Sequence, residues 1–319
     1  LQLEGRGKPF TLEEWAKKLK NKQEATSVFK FTEKLIERFK KQGKFGNARV
    51  YENMLNVFKK FRDNRDLAFE ELDYLQIRKY EDYLIEKGNK TNSISVHLRT
   101  LRAVYNKAIK EDLVNQGYYP FKNYKIKQEE TPKRAAKKED IDKIKALNLD
   151  KGSTLDHIRD YFLFSFYMRG MSFVDLAYLK VKNVENGRLV YSRSKTKQKF
   201  SIKIIEPAMA IIKKYNTLEE PDDYIFPIIQ RPKMADLDYR NALRLFNNKL
   251  KDLATQAKID TTLTTYVSRH TWATVAKKMG VSTAVISEGM GHDSEKTTQI
   301  YLDSFENDVL DDANDLITK

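Results

Sequence analysis

Near the C-terminal end of the chain, the run GMGHDSEKTTQIYLDSF places a histidine, His292, nine residues before a tyrosine, Tyr301. An imidazole donates or accepts a proton near neutral pH, and a phenol can act as a nucleophile that stores a covalent bond. The ordinary reading is that His292 caps a helix and Tyr301 packs on one. Histidine is scarce: His97, His157, His270 and His292 are the whole set, and there is no cysteine. Disulfides and cysteine-based zinc sites are excluded, and the histidines are not spaced like ligands, so no metal or cofactor is expected.

Three further stretches carry groups of the same chemical kind. Arg169 follows the apolar run DYFLFSFYM at a tight turn, where a guanidinium is held rigidly and keeps its charge. It can close a salt bridge inside the fold or clamp an oxyanion. Lys195 sits at the tip of SRSKTKQK, with Arg193, Lys197 and Lys199 beside it. Such lysines protect an edge hairpin from aggregation, or present a mobile ammonium to a phosphate or leaving group. Arg269, in TTYVSRHTWATVAKKMG, lies on a helix whose Val267, Trp272, Val275 and Met279 suggest a buried side. A charge entering that side demands a partner. Two arginines, a lysine, a histidine and a tyrosine together form a kit for phosphodiester chemistry. The arginines stabilise the pentacoordinate transition state, the tyrosine attacks, the lysine protonates the leaving 5′ oxygen, and the histidine hydrogen-bonds the phosphate. The P-loop, H-E-x-x-H and G-x-S-x-G patterns do not occur.

The elements that must position these groups read as mainly helical with a small β-hairpin. Residues 10–23 form a short amphipathic helix with Thr11 as its N-cap. A four-helix bundle follows, with helices over 27–42, from near Asn47, over 74–86 and from about 90. Tyr51, Leu55 and Phe58 recur at i, i+4 and i+7, and Ile94, Leu98, Leu101 and Tyr105 face inward on the fourth helix. Asn92, Ser95, Arg99 and Arg102 lie opposite that stripe. Residues 116–137, with prolines, lysines and little periodicity, read as a linker. A second domain starts near Lys138. Its buried helix stops at Arg169-Gly170, Ser172 and Asp175 make a capping box, and 188–205 alternate as a hairpin. Helices follow at about 207–216, 238–256, 264–279, 282–289 and 295–303, then an acidic-apolar tail.

The formal net charge of +14 on 319 residues, spread over whole helices, favours a polyanionic partner through counterion release. No run is apolar enough to span a bilayer, and no basic-apolar-small leader opens the chain, so no membrane partner is expected. The expected location is the cytoplasm, at the bacterial nucleoid.

The order Arg169, hairpin Lys195, YVSRH with Arg269, GH with His292, and Tyr301 resembles the tyrosine recombinase (phage integrase-like) family over about residues 25–319. MRGMSFVDLAYLK is similar to that family's first-arginine box, and GMGHDSEKTTQIY to its last. The resemblance implies a site-specific recombinase that cleaves and rejoins DNA through a 3′-phosphotyrosyl bond and a Holliday junction. The chain departs from the family pattern once: Tyr266 stands where a histidine usually precedes the second arginine by three residues. With a free pKa of about 10, a phenol is a poor base. Because the family's integrases of conjugative transposons vary here, the substitution points to that branch, acting in excision and integration of a mobile element.

The resemblance further implies a helical core-binding domain (25–115), the linker (116–137) and a catalytic domain (138–319) that close around duplex DNA. The implied DNA contacts are Asn47, Tyr51, Asn92, Ser95, Arg99 and Arg102, the linker pair Lys133 and Arg134, and hairpin residues Arg193 and Lys197. It implies a homo-tetramer on paired sites, coupled by a protomer-swapping tail, with DNA-bending or excision accessory proteins. The start at Leu1 suggests that residues 1–24 couple to a removed arm-binding domain. The alternatives are a chromosome-dimer-resolving recombinase, a type IB topoisomerase that relaxes plasmid without pairing sites, and an inactive DNA-binding regulator.

Overall fold

The computed structural model describes residues 27–115, 117, 119–129, 134–215, 220–292, 294–299, 302 and 318. The chain divides into two compact units at Thr131 and Pro132. Residues 10–23, most of the tail, Lys133 and Tyr301 lie outside the described residues.

In the first unit, α1 (Val28–Lys41) starts where the Ser27 hydroxyl accepts from Lys30 N–H. Asp66 fastens that start, accepting from Ser27 Oγ and from Phe29 N–H. Then come α2 (Phe45–Phe61), α3 (Tyr74–Glu86), capped by Asp73, and α4 (Thr91–Lys110). The predicted stripes face inward: Leu55 and Phe58 on α2, and Leu98, Leu101 and Tyr105 on α4, are buried. Aromatic rings meet within the core, with Phe58 edge-on to Tyr80 (4.9 Å) and Phe69 edge-on to Tyr105 (5.6 Å). Each such pair contributes about 0.5–1.5 kcal/mol beyond its buried area.

Two residues read as DNA contacts belong to this interior. Tyr51 is buried with its ring edge-on to Phe39 (4.9 Å), because the same α2 stripe that carries Leu55 and Phe58 turns it inward. Ser95 is 1% exposed beneath Gln128, since it neighbours Ile94 and Leu98 on the packed side of α4. The stretch read as a linker is partly drawn into both units. Phe121 and Tyr124 are buried in the first core, and Ala136 in the second, where its N–H donates to Thr271 Oγ1.

The second unit opens with α5 (Lys138–Ala146), which holds Ile141 and Ile144 inward and for which the sequence analysis names no element. At its centre is α6 (Thr154–Tyr167), with Phe162 and Phe164 fully buried. After α7 (Phe173–Ala177) come three antiparallel strands in the order β1-β2-β3: Val184–Glu185, Arg188–Ser192 and Lys199–Lys203. Tyr191 pairs with Phe200 and Leu189 with Ile202, so the hairpin is present with one extra short strand. The remaining helices are α8 (Glu206–Tyr215), α9 (Ala235–Gln256), α10 (Val267–Lys278), α11 (Thr283–Met290) and α12 (Glu295–Gln299). Among the described residues no helix is long and apolar enough to cross a membrane.

The polar start of α6 is stapled to α8. Lys214 Nζ reaches Asp156 and Asp160, Arg159 also bonds Asp156, and Tyr215 donates to Asp160 at 3.0 Å. Burial alone would raise the Asp156 pKa. The bonds from Lys214 and Gly152 N–H, with the nearby cations, outweigh that and hold it below the usual carboxylate value. Its stabilising contribution is therefore present above pH of about 4 and fades as pH falls through the depressed folded value. Lys214→Ala leaves two carboxylates facing each other with reduced compensation. Urea melts at pH 7 are expected to show a loss of about 2 kcal/mol, allowing for the part-exposed lysine, and that deficit narrows as pH falls below about 4, through the depressed folded value.

Candidate active site

After α6 ends, the chain reverses through Arg169 (φ 56°) and Gly170 (φ 67°), both left-handed. The arginine, a branched-off side chain in a region that suits glycine, costs about 1–2 kcal/mol that the surrounding packing must offset. At Gly170 a Cβ would lie 2.5 Å from Arg269 Cα, so only glycine lets this turn press on α10. A hydroxyl pair ties the same elements together: Ser165 Oγ donates to the Met171 carbonyl (2.6 Å) and meets Ser268 Oγ at 2.7 Å.

Arg269 is 3% exposed, and its charge is met chiefly by carbonyls. Nη1 donates to Gly170 O at 2.9 Å, and Nη2 donates to Met290 O and to His292 Nε2, the latter at 3.2 Å. Met290 ends α11, where the helix dipole is negative and a cation is favoured. A guanidinium has no acceptor, so Nε2 of His292 accepts. The imidazole proton then sits on Nδ1, which donates to the Thr298 hydroxyl at 2.8 Å. Thr298 is fully buried on α12, so both sides of the ring are held. Gly291 makes the turn that aims the histidine: it closes α11 at φ 63°, and His292 N–H returns to Ser287 O. A Cβ there would stand 2.3 Å from Phe200 Cζ.

Lys195 and Lys197 are exposed on the turn between β2 and β3, as predicted. Arg193, read as a DNA contact, is instead buried and donates to the carbonyls of Met290 and Gly291. The signal was in the strand period: the face that Leu189 and Tyr191 share carries one step past the strand to Arg193, whereas the lysines lie beyond, on the turn, where the alternation no longer holds. Asp175 was read only as half of a capping box. It accepts from Ser172 Oγ with one oxygen and from Ser194 N–H with the other (2.7 Å), so it also anchors the lysine turn. Tyr191, stacked on Phe200 (5.4 Å), has its pKa raised first by burial and then by Asp175. Arg269, Arg193 and Arg169 pull the other way. Three guanidiniums and one carboxylate thus lie within electrostatic reach of a single phenol, a net positive field suited to an anion.

Tyr266 begins α10, 40% exposed, with its ring edge-on to His270 at 5.3 Å. His270 is buried. Among the described residues, no group of three or more His, Cys, Asp or Glu side chains is placed to hold a metal ion.

The first unit carries a separate basic surface. Arg99, Arg102, Lys122, Lys125 and Gln128 line one open depression. The two arginines were expected from the sequence, but not the lysines, which lie beyond α4. Asn47 is exposed at the start of α2, and Arg134 is exposed in the second unit. Asn92 is less available: its amide exchanges two hydrogen bonds with the backbone of Glu129, at 2.8 and 3.1 Å.

Gly291→Ala is expected to lower stability by about 1–3 kcal/mol, from a strained φ and the clash with Phe200. A thermal melt checks it, and the associated displacement of His292 is expected to reduce DNA cleavage more than DNA binding.

Comparison with known proteins agrees with both units. Residues 27–126 match the phage integrase SAM-like domain, and residues 138–308 match the phage integrase family. Tyrosine recombinase XerC of Leptospira interrogans is 26% identical over 259 residues, covering 79% of this chain and 81% of that protein. The integrase of transposon Tn1549, solved with transposon right-end DNA, superposes with a TM-score of 0.65 at 15% identity, over 92% of this chain and 100% of that one. Lambda integrase is also similar in fold. As a dimer on a core site it gives a TM-score of 0.62 at 13% identity, over 96% of this chain and 86% of its own. As a tetramer on a Holliday junction it gives 0.56 at 17% identity, over 80% and 72%. The chain belongs to the phage integrase family, the tyrosine recombinases, which cleave and rejoin DNA through a phosphotyrosine intermediate.

Proposed function

We propose that this chain recombines specific DNA sites for the excision and integration of a mobile element, with Tyr301 as nucleophile. The tyrosine oxygen attacks the scissile phosphorus, loses its proton to solvent and forms the 3′-phosphotyrosyl bond. The P–O5′ bond breaks, and Lys195 gives a proton to the departing 5′ oxygen. Arg169 and Arg269 neutralise the non-bridging oxygens. A phosphate that takes the Arg269 hydrogen now resting on His292 Nε2 releases that nitrogen, which, once protonated, donates to the phosphate as well. The 5′-hydroxyl of a partner duplex then reverses the attack, and a second exchange resolves the Holliday junction. The phosphotyrosyl link conserves the energy of the broken bond, so no nucleotide is consumed.

The observation that carries this reading is the reach of Arg269, which bonds the Arg169 turn, the α11 end and His292 at once. In the assembly we propose, four copies act on paired sites at the bacterial nucleoid, joined by their C-terminal tails and aided by DNA-bending or excision proteins. Phosphate contacts come from Arg99, Arg102, Lys122 and Lys125, with Asn47, Lys133 and Arg134 adding to them and Lys197 flanking the scissile phosphate. Tyr266, in place of the usual histidine, supports the mobile-element branch. A second reading, resolution of chromosome dimers, is favoured by the similarity to XerC.

Covalent capture tests the proposal. Protein is incubated in EDTA with fragmented source genome, quenched with detergent and assayed for DNA that co-migrates with it. A metal-independent adduct is expected, absent in Tyr301→Phe, which still binds the same DNA. Binding without adduct on a nicked trapping substrate contradicts the proposal. Adduct ends at the borders of an element identify an integrase, whereas a single chromosomal site identifies the resolvase reading. Tyr266→His is expected to speed adduct formation about tenfold, since an imidazole is the better base near neutral pH.

A further inference from the structure

Arg193 stands two residues before Lys195 and is the buried member of an exposed basic turn. Its Nη1 donates to Met290 O at 3.3 Å and Gly291 O at 3.0 Å, across 97 and 98 residues of chain. Its backbone also closes the turn itself. Arg193 N–H donates to Gln198 O, and its carbonyl accepts from Lys197 N–H, both at 2.8 Å. One residue is therefore the base of the lysine turn and its attachment to the segment that presents His292. On the opposite side, Ser194 N–H donates to Asp175 Oδ1. Lys195 follows immediately and is exposed on the turn.

His292 does not depend on Arg193 in the same way, because Arg269 and Thr298 hold its two ring nitrogens. Removing Arg193 loosens the lysine side of the pair. A lysine in its place keeps the charge but not the rigid planar group whose Nη1 donates to both carbonyls.

We propose that Arg193 is a positioning residue, which registers the Lys195 turn against the His292 turn so that the lysine ammonium meets the leaving 5′ oxygen. It touches neither the DNA nor the reacting atoms. This rests on the reading of Lys195 as general acid.

The test uses the full chain and a nicked duplex bearing the site mapped by adduct ends, in two forms. In one, P–O5′ cleavage leaves an alkoxide that needs a proton. In the other, sulfur replaces the bridging 5′ oxygen, and P–S5′ cleavage leaves a thiolate that keeps the electron pair unprotonated. Arg193→Ala is expected to cleave the oxygen substrate about a hundredfold more slowly than the parent and the sulfur substrate within about threefold of it. Lys195→Ala should show the same selective loss, and Arg269→Ala should be slow on both. Arg193→Lys makes the same comparison should the alanine variant fail to fold. Equal loss on both substrates for the Arg193 variants, or no loss on either, overturns the proposal. If Lys195→Ala is slow on both, the lysine is not the acid, and the reading beneath the proposal fails first.

Discussion

The site depends on one buried cation satisfied by backbone. The guanidinium of Arg269 leaves water almost completely, and an unpaired charge in that position would be prohibitive. It bonds the carbonyl that follows Arg169 and the carbonyl that ends α11, and it touches His292. Carbonyls carry partial charge, so they orient the cation without cancelling it. A bidentate carboxylate would have neutralised the group that a phosphate must find.

Other features follow from that arrangement. The Arg169 turn must come close enough for its carbonyl to be reached, which explains Gly170 against Arg269 Cα and the left-handed conformation of Arg169 itself. The α11 end must turn sharply toward α10, which explains Gly291 against Phe200. The Met290 carbonyl accepts from both Arg193 and Arg269, so the strand and the helix share one anchor. Asp175 holds the other flank of the lysine turn from the element just after Arg169. Segments a hundred residues apart are thereby kept in register by a few hydrogen bonds whose donors cannot lose their protons.

Much of this was legible in the sequence where chemistry and period agree. The helix from 74 to 86 and the hairpin lie where apolar spacing put them, and Arg169, Lys195, Arg269 and His292 belong to elements read correctly. The errors share a cause. Tyr51, Ser95 and Arg193 were assigned by residue type, as polar groups near a basic face, whereas each sits at a position whose period points inward. Arg193 is the instructive case: two-residue alternation from Leu189 already placed it inside, but an arginine beside three lysines reads as surface. The hold of Asp175 on Ser194 and the two carbonyls of the Arg269 site could not be read, because those bonds join distant backbone groups that only the fold brings near. Lys122 and Lys125 join Arg99 for the same reason, through a segment that the sequence offered as a linker.

Arg269 holds His292 by donating to Nε2, and this fixes the state of the imidazole in the free protein. With four histidines, nitrogen-15 NMR of histidine-labelled protein resolves that state directly, using His292→Gln to assign the signal. A neutral ring with its proton on Nδ1 is expected at mildly alkaline pH, with loss of that preference in Arg269→Ala. A proton on Nε2 in the parent protein would mean that the arginine does not donate there, and that His292 is held in some other way.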